Sequence, residues 1–342
     1  MKNQVAELIV DLGGGSISGF QLIENGLNPL QWDSAGEGFV PDEERNQRPR
    51  SMGHFLCLDR WGSVSDAEKA NGMPCHGEAT TVMWDVLQQP VSKNGVVEAR
   101  LSANLPLADL SVERKILMYD NSAVVSVVES IANNNPIGRI YNIVQHPTIG
   151  GLFLDEDTIV DANGTRGFMQ DRPMPNPEVP EVRWPEAIKL DGTKVDVRNL
   201  RDDQEPGVVS YIVDDEYGWI TASSPNSGLL MGYIWLSSDY PWMNLWRNLR
   251  EGKPYARGLE FGTSGLHRPG RDLVAKGRIF DRALYRYIDV SETQSFTYAM
   301  FLVEIPKDFE GVDSVSYKDG KLTVVEAGSN NRSFERSAAN LF

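Results

Sequence analysis

The sequence predicts an all-β protein, a sandwich or a barrel. Many short stretches of alternating or continuously apolar residues are bounded by glycine, asparagine and aspartate, and long runs with a helical period are scarce. Glu7-Leu-Ile-Val-Asp-Leu12 runs into Gly13-Gly-Gly15, and Ser16–Leu22 then alternates up to the turn Glu24-Asn-Gly26, an opening hairpin. Val96–Ala103, Val112–Tyr119 and Ala123–Ile131 read as consecutive strands, the last two joined at Asp120-Asn-Ser122. Further strands are expected at Gly138–Val144, Val208–Ile212, Gly218–Ala222, Gly228–Leu236, Ala256–Phe261, Leu284–Val290 and Thr297–Val303. A last hairpin should turn on Asp319-Gly320. Only short helices are expected, around Met243–Leu249 and Phe280–Leu284.

Length and composition set the remaining bounds. The chain has 342 residues, 41% hydrophobic and 24% charged, enough to bury a large core. Five prolines between Pro173 and Pro185 exclude a central strand there. Strands of similar character lie on both sides, so 1–342 is expected to be one domain with a proline-rich insertion near 171–186. A net charge of −15 without a dense lysine or arginine run argues against a nucleic-acid partner. No stretch has the length of a membrane span, and the first residues lack the apolar core of a signal peptide. A cytoplasmic protein is expected, or a periplasmic one if a leader has been removed. Cys57 and Cys75 are expected to be reduced, and the absence of C-x-x-C or H-x-x-x-H spacing gives no expectation of a metal or cofactor. Nothing in the sequence speaks to oligomeric state.

Candidate chemistry starts at Glu260, alone in the apolar, glycine-rich run Tyr255–Gly265. A carboxylate in a buried strand is costly unless paired or used, and burial raises its pKa towards the range of a general acid or base. A structural salt bridge to Arg257 is the competing reading. His76, in a proline- and glycine-bounded loop, and His146, expected where a strand ends and the chain turns, sit at positions suited to function. Each could equally satisfy loop carbonyls, and His54 and His267 have weaker settings. Trp235–Trp246 carries three tryptophans around a proline, and Trp235 and Trp242 are candidate faces for a sugar ring, with burial in the core as the alternative. Arg50 and Arg60 could grip hydroxyl or carboxylate oxygens, although Asp59 beside Arg60 offers a structural ion pair instead.

The order of these motifs resembles the aldose 1-epimerase, or galactose mutarotase-like, superfamily. The matching pieces are the glycine-rich hairpin Gly13–Leu22, Arg60 followed by His76-Gly77 and Trp84, Ser130-Ile-Ala-Asn-Asn134, a strand closing on His146, and Gly258-Leu-Glu260. Gln145-His146-Pro147-Thr148 departs from the family's usual asparagine-histidine pattern. The resemblance implies a β-supersandwich and a small-molecule sugar as partner, with no cofactor. It implies that His76 orients the sugar, His146 is the general acid towards the ring oxygen and Glu260 the general base on the anomeric hydroxyl. A binding protein without catalysis on the same fold stays open. So does a glycoside hydrolase, which needs a second carboxylate about 5–10 Å from the first, with Asp59, Glu78 and Asp239 as candidates. A polysaccharide lyase using Arg50, Arg60 and Arg257 against a uronate is a further alternative.

Overall fold

The computed structural model describes residues 1–35, 49–200 and 206–342. Among these, two large antiparallel sheets face each other. The first orders nine strands as Ala6–Val10, Ile17–Leu22, His54–Leu58, Ile143–Gly150, Lys253–Gly262, Trp242–Arg250, Gly207–Val213, Gly164–Met169 and Val182–Arg183. The second orders eight as Ile159–Ala162, Tyr217–Ser224, Leu229–Leu236, Thr293–Glu304, Val124–Asn133, Leu110–Tyr119, Val96–Leu105 and Asp85–Lys93. The all-β sandwich expected from the strand pattern is the architecture that forms.

Period-two alternation explains the layering. Leu56, Ile143, Leu245, Leu259 and Phe261 of the first sheet enter one buried cluster with Val112, Ile116, Tyr233, Trp235 and Met300 of the second. A smaller sheet, Val312–Lys318, Lys321–Glu326 and Ser333–Ser337, covers the far face of the eight-stranded sheet, with Val315, Leu322 and Val324 packed against Leu230, Ile234 and Phe301. Its hairpin turns on Asp319-Gly320, both at positive φ (51° and 76°), as a two-residue turn of that type requires.

Both expected helices are corrected. Met243–Leu249 lies in the strand Trp242–Arg250, held on both sides, where Met243 and Leu245 face the core. Central pairing overrides a local pattern that a short helix could also satisfy. Phe280–Leu284 is a tight hairpin between Arg278–Ile279 and Arg282–Ala283, with Phe280 and Asp281 both in the left-handed region. The α-helices among the described residues are Asp66–Ala70, closed by a Ser65–Glu68 capping box, and Gly270–Lys276. Among the described residues, no helix is long and apolar enough to cross a membrane. The proline-rich segment is irregular until Val182–Arg183 adds a two-residue edge strand. Cys57 is buried in a strand, Cys75 is exposed on a loop, and both are free thiols.

The placement of His146 also departs from expectation. The strand does not end there but runs through Pro147 to Gly150, buried along its whole length. Proline offers no N–H to a ladder. The pairing with Lys253–Gly262 is correspondingly interrupted between Gln145↔Phe261 and Thr148↔Gly258. The register is the same on both sides of the gap, so His146 stands directly opposite Glu260. On the core side, Gln145 donates to Glu129 Oε2 (2.6 Å) and to the Tyr240 hydroxyl (3.1 Å), and its carbonyl lies 3.1 Å from Nε2 of His54. Arg114 pairs with Glu129 at 2.7 Å, so the strand that carries His146 is anchored from within.

Candidate active site

Glu260 projects from the face of the nine-stranded sheet that points away from the intersheet core. Its neighbours Leu259 and Phe261 point inward. Arg257, three residues earlier, therefore faces the opposite way, and it donates to the carbonyls of Val197 and Arg198. The salt bridge that competed for Glu260 does not form. The carboxylate, 1% exposed, instead accepts the indole N–H of Trp61 on Oε2 (2.7 Å) and meets Nε2 of His146 on Oε1 (3.2 Å). Burial pushes its pKa from 4.5 up to about 8, against the opposing pull of the Trp61 donor.

His146 is held as tightly. Its Nδ1 lies 3.0 Å from the hydroxyl of Thr148, two residues on and so on the same face. Phe55 stacks on the ring at 4.1 Å between centroids, 19° from parallel. Burial and then the neighbouring histidines hold its pKa well below the ordinary value. Burial thus favours a carboxyl that keeps its proton beside a neutral imidazole, with Oε1 and Nε2 3.2 Å apart. Moving that one proton converts the neutral pair into carboxylate and imidazolium, the two forms that acid–base chemistry uses.

His76 reaches the same place from a loop. It adopts φ 65°, and a Cβ on the following Gly77 would strike the Leu58 carbonyl, so the His-Gly turn is packed against the His54–Leu58 strand. The Nδ1 of His76 accepts the Gly62 N–H (3.2 Å) and lies 3.3 Å from the Cys57 thiol. Its ring sits 5.3 Å from that of His146, nearly perpendicular, and 5.8 Å from that of His267. Burial and then the His267 charge depress its pKa to about 3.

The other expected contacts distribute differently. Arg60 is bound to Glu68 (2.7 Å) and Asp59 (3.0 Å), which ties the short capped helix to the sheet. Arg50 pairs with Asp33 at 2.9 Å beside the Asp33↔Met52 bridge. Trp235 belongs to the eight-stranded sheet and lies in the core, flat on Phe261 (4.2 Å, 5°), with its N–H on the Tyr240 carbonyl, so it cannot face a ligand over Glu260. Trp242 shares the Glu260 face but is fully buried among Phe168, Ile212 and Leu266, and donates to Ala283 O. The tryptophan of that segment at the site is Trp246, half-buried, 5.9 Å from both His146 and Trp32. Trp32 stacks on Phe55, and His267 stands edge-on to Trp61 at 4.8 Å. Four aromatic side chains, Trp32, Phe55, Trp61 and Trp246, thus surround the acidic and imidazole groups. Period two from Trp242 marks Trp246, once that segment is read as a strand. Trp61, Phe55 and Trp32 carry no such signal.

No protein-family model and no curated protein sequence matches the chain. Its structure, by contrast, has many neighbours, and the fold they define is that of the galactose mutarotase-like proteins. A galactose mutarotase-like protein from Clostridium acetobutylicum superposes with a TM-score of 0.64 at 11% identity, covering 89% of this chain and 94% of the other. The galactose mutarotase related enzyme from Lactobacillus acidophilus gives 0.60 at 10% identity over 90% and 97%. A galactose mutarotase-like protein from Lactobacillus casei gives 0.59 at 12% over 89% and 99%. The fold expected from the resemblance is the one observed.

Proposed function

We propose that the sheet face carrying Glu260 and His146 binds a cyclic aldose and interconverts its anomers by acid–base ring opening. The observation that carries this reading is the buried carboxyl–imidazole contact at 3.2 Å, across which one proton could pass. In its ionised form Glu260 takes the proton of the anomeric hydroxyl while Nε2 of His146 gives one to the ring oxygen. The bond from the anomeric carbon to the ring oxygen breaks, its electron pair leaves with that oxygen, and the free aldehyde forms. Rotation about the adjacent carbon–carbon bond and reclosure return both protons and yield the other anomer. The reacting oxygens are attached to one carbon, so an acid and a base placed side by side reach both. His76, uncharged, supplies a donor to a sugar oxygen, and Trp32 and Trp246 supply apolar faces for the ring.

A hydrolase is the weaker reading because the carboxylates it would need are engaged elsewhere. Asp59 pairs with Arg60 and Arg139, Glu78 accepts the N–H groups of Leu107 and Ala108, and Asp239 accepts that of Thr297. The test is polarimetry or NMR of freshly dissolved single-anomer sugars. The protein should accelerate equilibration of at least one of them, and Glu260→Gln should lower that rate by about 10²–10⁴-fold while sugar still binds. Binding with no acceleration in the parent protein would leave a carbohydrate-binding protein in place of an enzyme.

A further inference from the structure

Two hydrogen bonds in the site come from adjacent residues of one loop and take no part in the proton transfers above. The indole N–H of Trp61 donates to Oε2 of Glu260 at 2.7 Å, and the backbone N–H of Gly62 donates to Nδ1 of His76 at 3.2 Å. Neither group can do otherwise, because an indole N–H and a peptide N–H are donors only. Both are fixed in place. Trp61 is 3% exposed and braced by the edge of His267. Gly62 lies at φ 87°, and a Cβ there would run into the His267 ring, so the position admits glycine alone. The backbone N–H of His76 returns a bond to the Gly62 carbonyl at 3.2 Å, closing the two loop segments on each other.

We propose that Trp61-Gly62 is a positioning pair that allocates the protons of the site. Trp61 reserves Oε2 of Glu260 as an acceptor, which drives the carboxyl proton to Oε1, where it faces His146. Gly62 reserves Nδ1 of His76 as an acceptor, which leaves the imidazole proton on Nε2. The inference rests on the acid–base reading for its catalytic meaning, but the proton positions themselves do not depend on turnover.

The groups around Glu260 are consistent with this division. His146 faces it from the Ile143–Gly150 strand, and the Cys57 thiol from the His54–Leu58 strand senses its charge. Across the register from the Trp242–Arg250 strand stands Asn244, which is uncharged. His76 and His267 complete the ring of titratable groups, and Arg257 on the same strand points the other way. Trp61 is therefore the neutral donor that favours the ionised carboxylate, working against burial. The Cys57 thiol, which burial holds protonated, lies 3.3 Å from the same Nδ1 of His76.

The test needs no sugar. Protein carrying ¹³C at glutamate carboxyls and ¹⁵N at tryptophan and histidine is titrated by NMR, with Glu260→Gln as the assignment control. Trp61→Phe, which keeps a ring against His267, should raise the Glu260 midpoint by about one pH unit. In the parent protein the Trp61 indole resonance should titrate with Glu260 and stop doing so in Glu260→Gln. His76 should show the neutral Nε2–H tautomer. An unchanged midpoint in Trp61→Phe, an indole resonance indifferent to Glu260, or an Nδ1–H tautomer at His76 would overturn the proposal. If Trp61→Phe does not fold, the indole and imidazole resonances of the parent protein decide alone. These shifts without any anomer interconversion would reject the enzymatic reading and keep the proton allocation, and the reverse result would reject only the allocation.

Discussion

Replacing Glu260 by glutamine keeps the shape of the side chain and removes its titration. The amide oxygen can accept from Trp61 and the amide N–H can donate to His146, so Glu260→Gln mimics the protonated acid that burial favours. Burial lifts the folded-state pKa from 4.5 to about 8. A folded pKa raised above the unfolded one gives stability that is complete below about pH 4.5 and is lost as the pH rises to about 8. At ~1.4 kcal/mol per unit, the loss approaches ~5 kcal/mol. The variant has no such group, and the neighbouring histidines cancel in the comparison. Glu260→Gln should therefore match the parent near pH 4, exceed it by ~2 kcal/mol near pH 6, and exceed it by ~5 kcal/mol above pH 8. Urea unfolding across that range, with the slopes compared as well as the midpoints, measures the gap. A gap that stays constant with pH would refute the assignment of Glu260 as a carboxyl kept neutral by the fold.

Other outcomes follow from the same contacts. Burial holds His54 and His76 near 3, His267 near 4 and His146 well below its ordinary value. Depressed histidines cost stability as the pH falls below about 6.5, where the unfolded chain gains protons that the folded one refuses. Four of them outweigh the opposite slope of Glu260, so urea midpoints should drop steeply between pH 7 and pH 5. Arg114→Met strands Glu129 without its cation between the sheets and should cost about 3–5 kcal/mol, read by the same unfolding assay. Trp246→Ala should raise the KM for an active sugar by roughly tenfold, about 1.4 kcal/mol of lost contact. Trp235→Phe should leave KM unchanged and lower the unfolding midpoint, because its N–H bond and ring stacking serve the core.

By itself the sequence determined the all-β class, many of the strands, the hairpin at Asp319-Gly320 and the burial of Glu260, because alternation, turn chemistry and an isolated carboxylate in an apolar run are local signals. His54–Leu58, Gly164–Met169 and Trp242–Arg250 are not among the strands it predicts. It also singled out His76 and His146, which the structure brings within one ring contact of each other. Tertiary structure decided the rest. Register, which depends on a partner strand far along the chain, set His146 opposite Glu260 and turned Arg257 away. The choice between Trp235, Trp242 and Trp246 rested on which sheet and which face each occupies, and that follows from treating Met243–Leu249 as a strand. The partners of Glu260 are the clearest case. Trp61 lies 199 residues away, and no local pattern ties its indole to that carboxylate, yet its N–H opposes the rise in pKa that burial imposes.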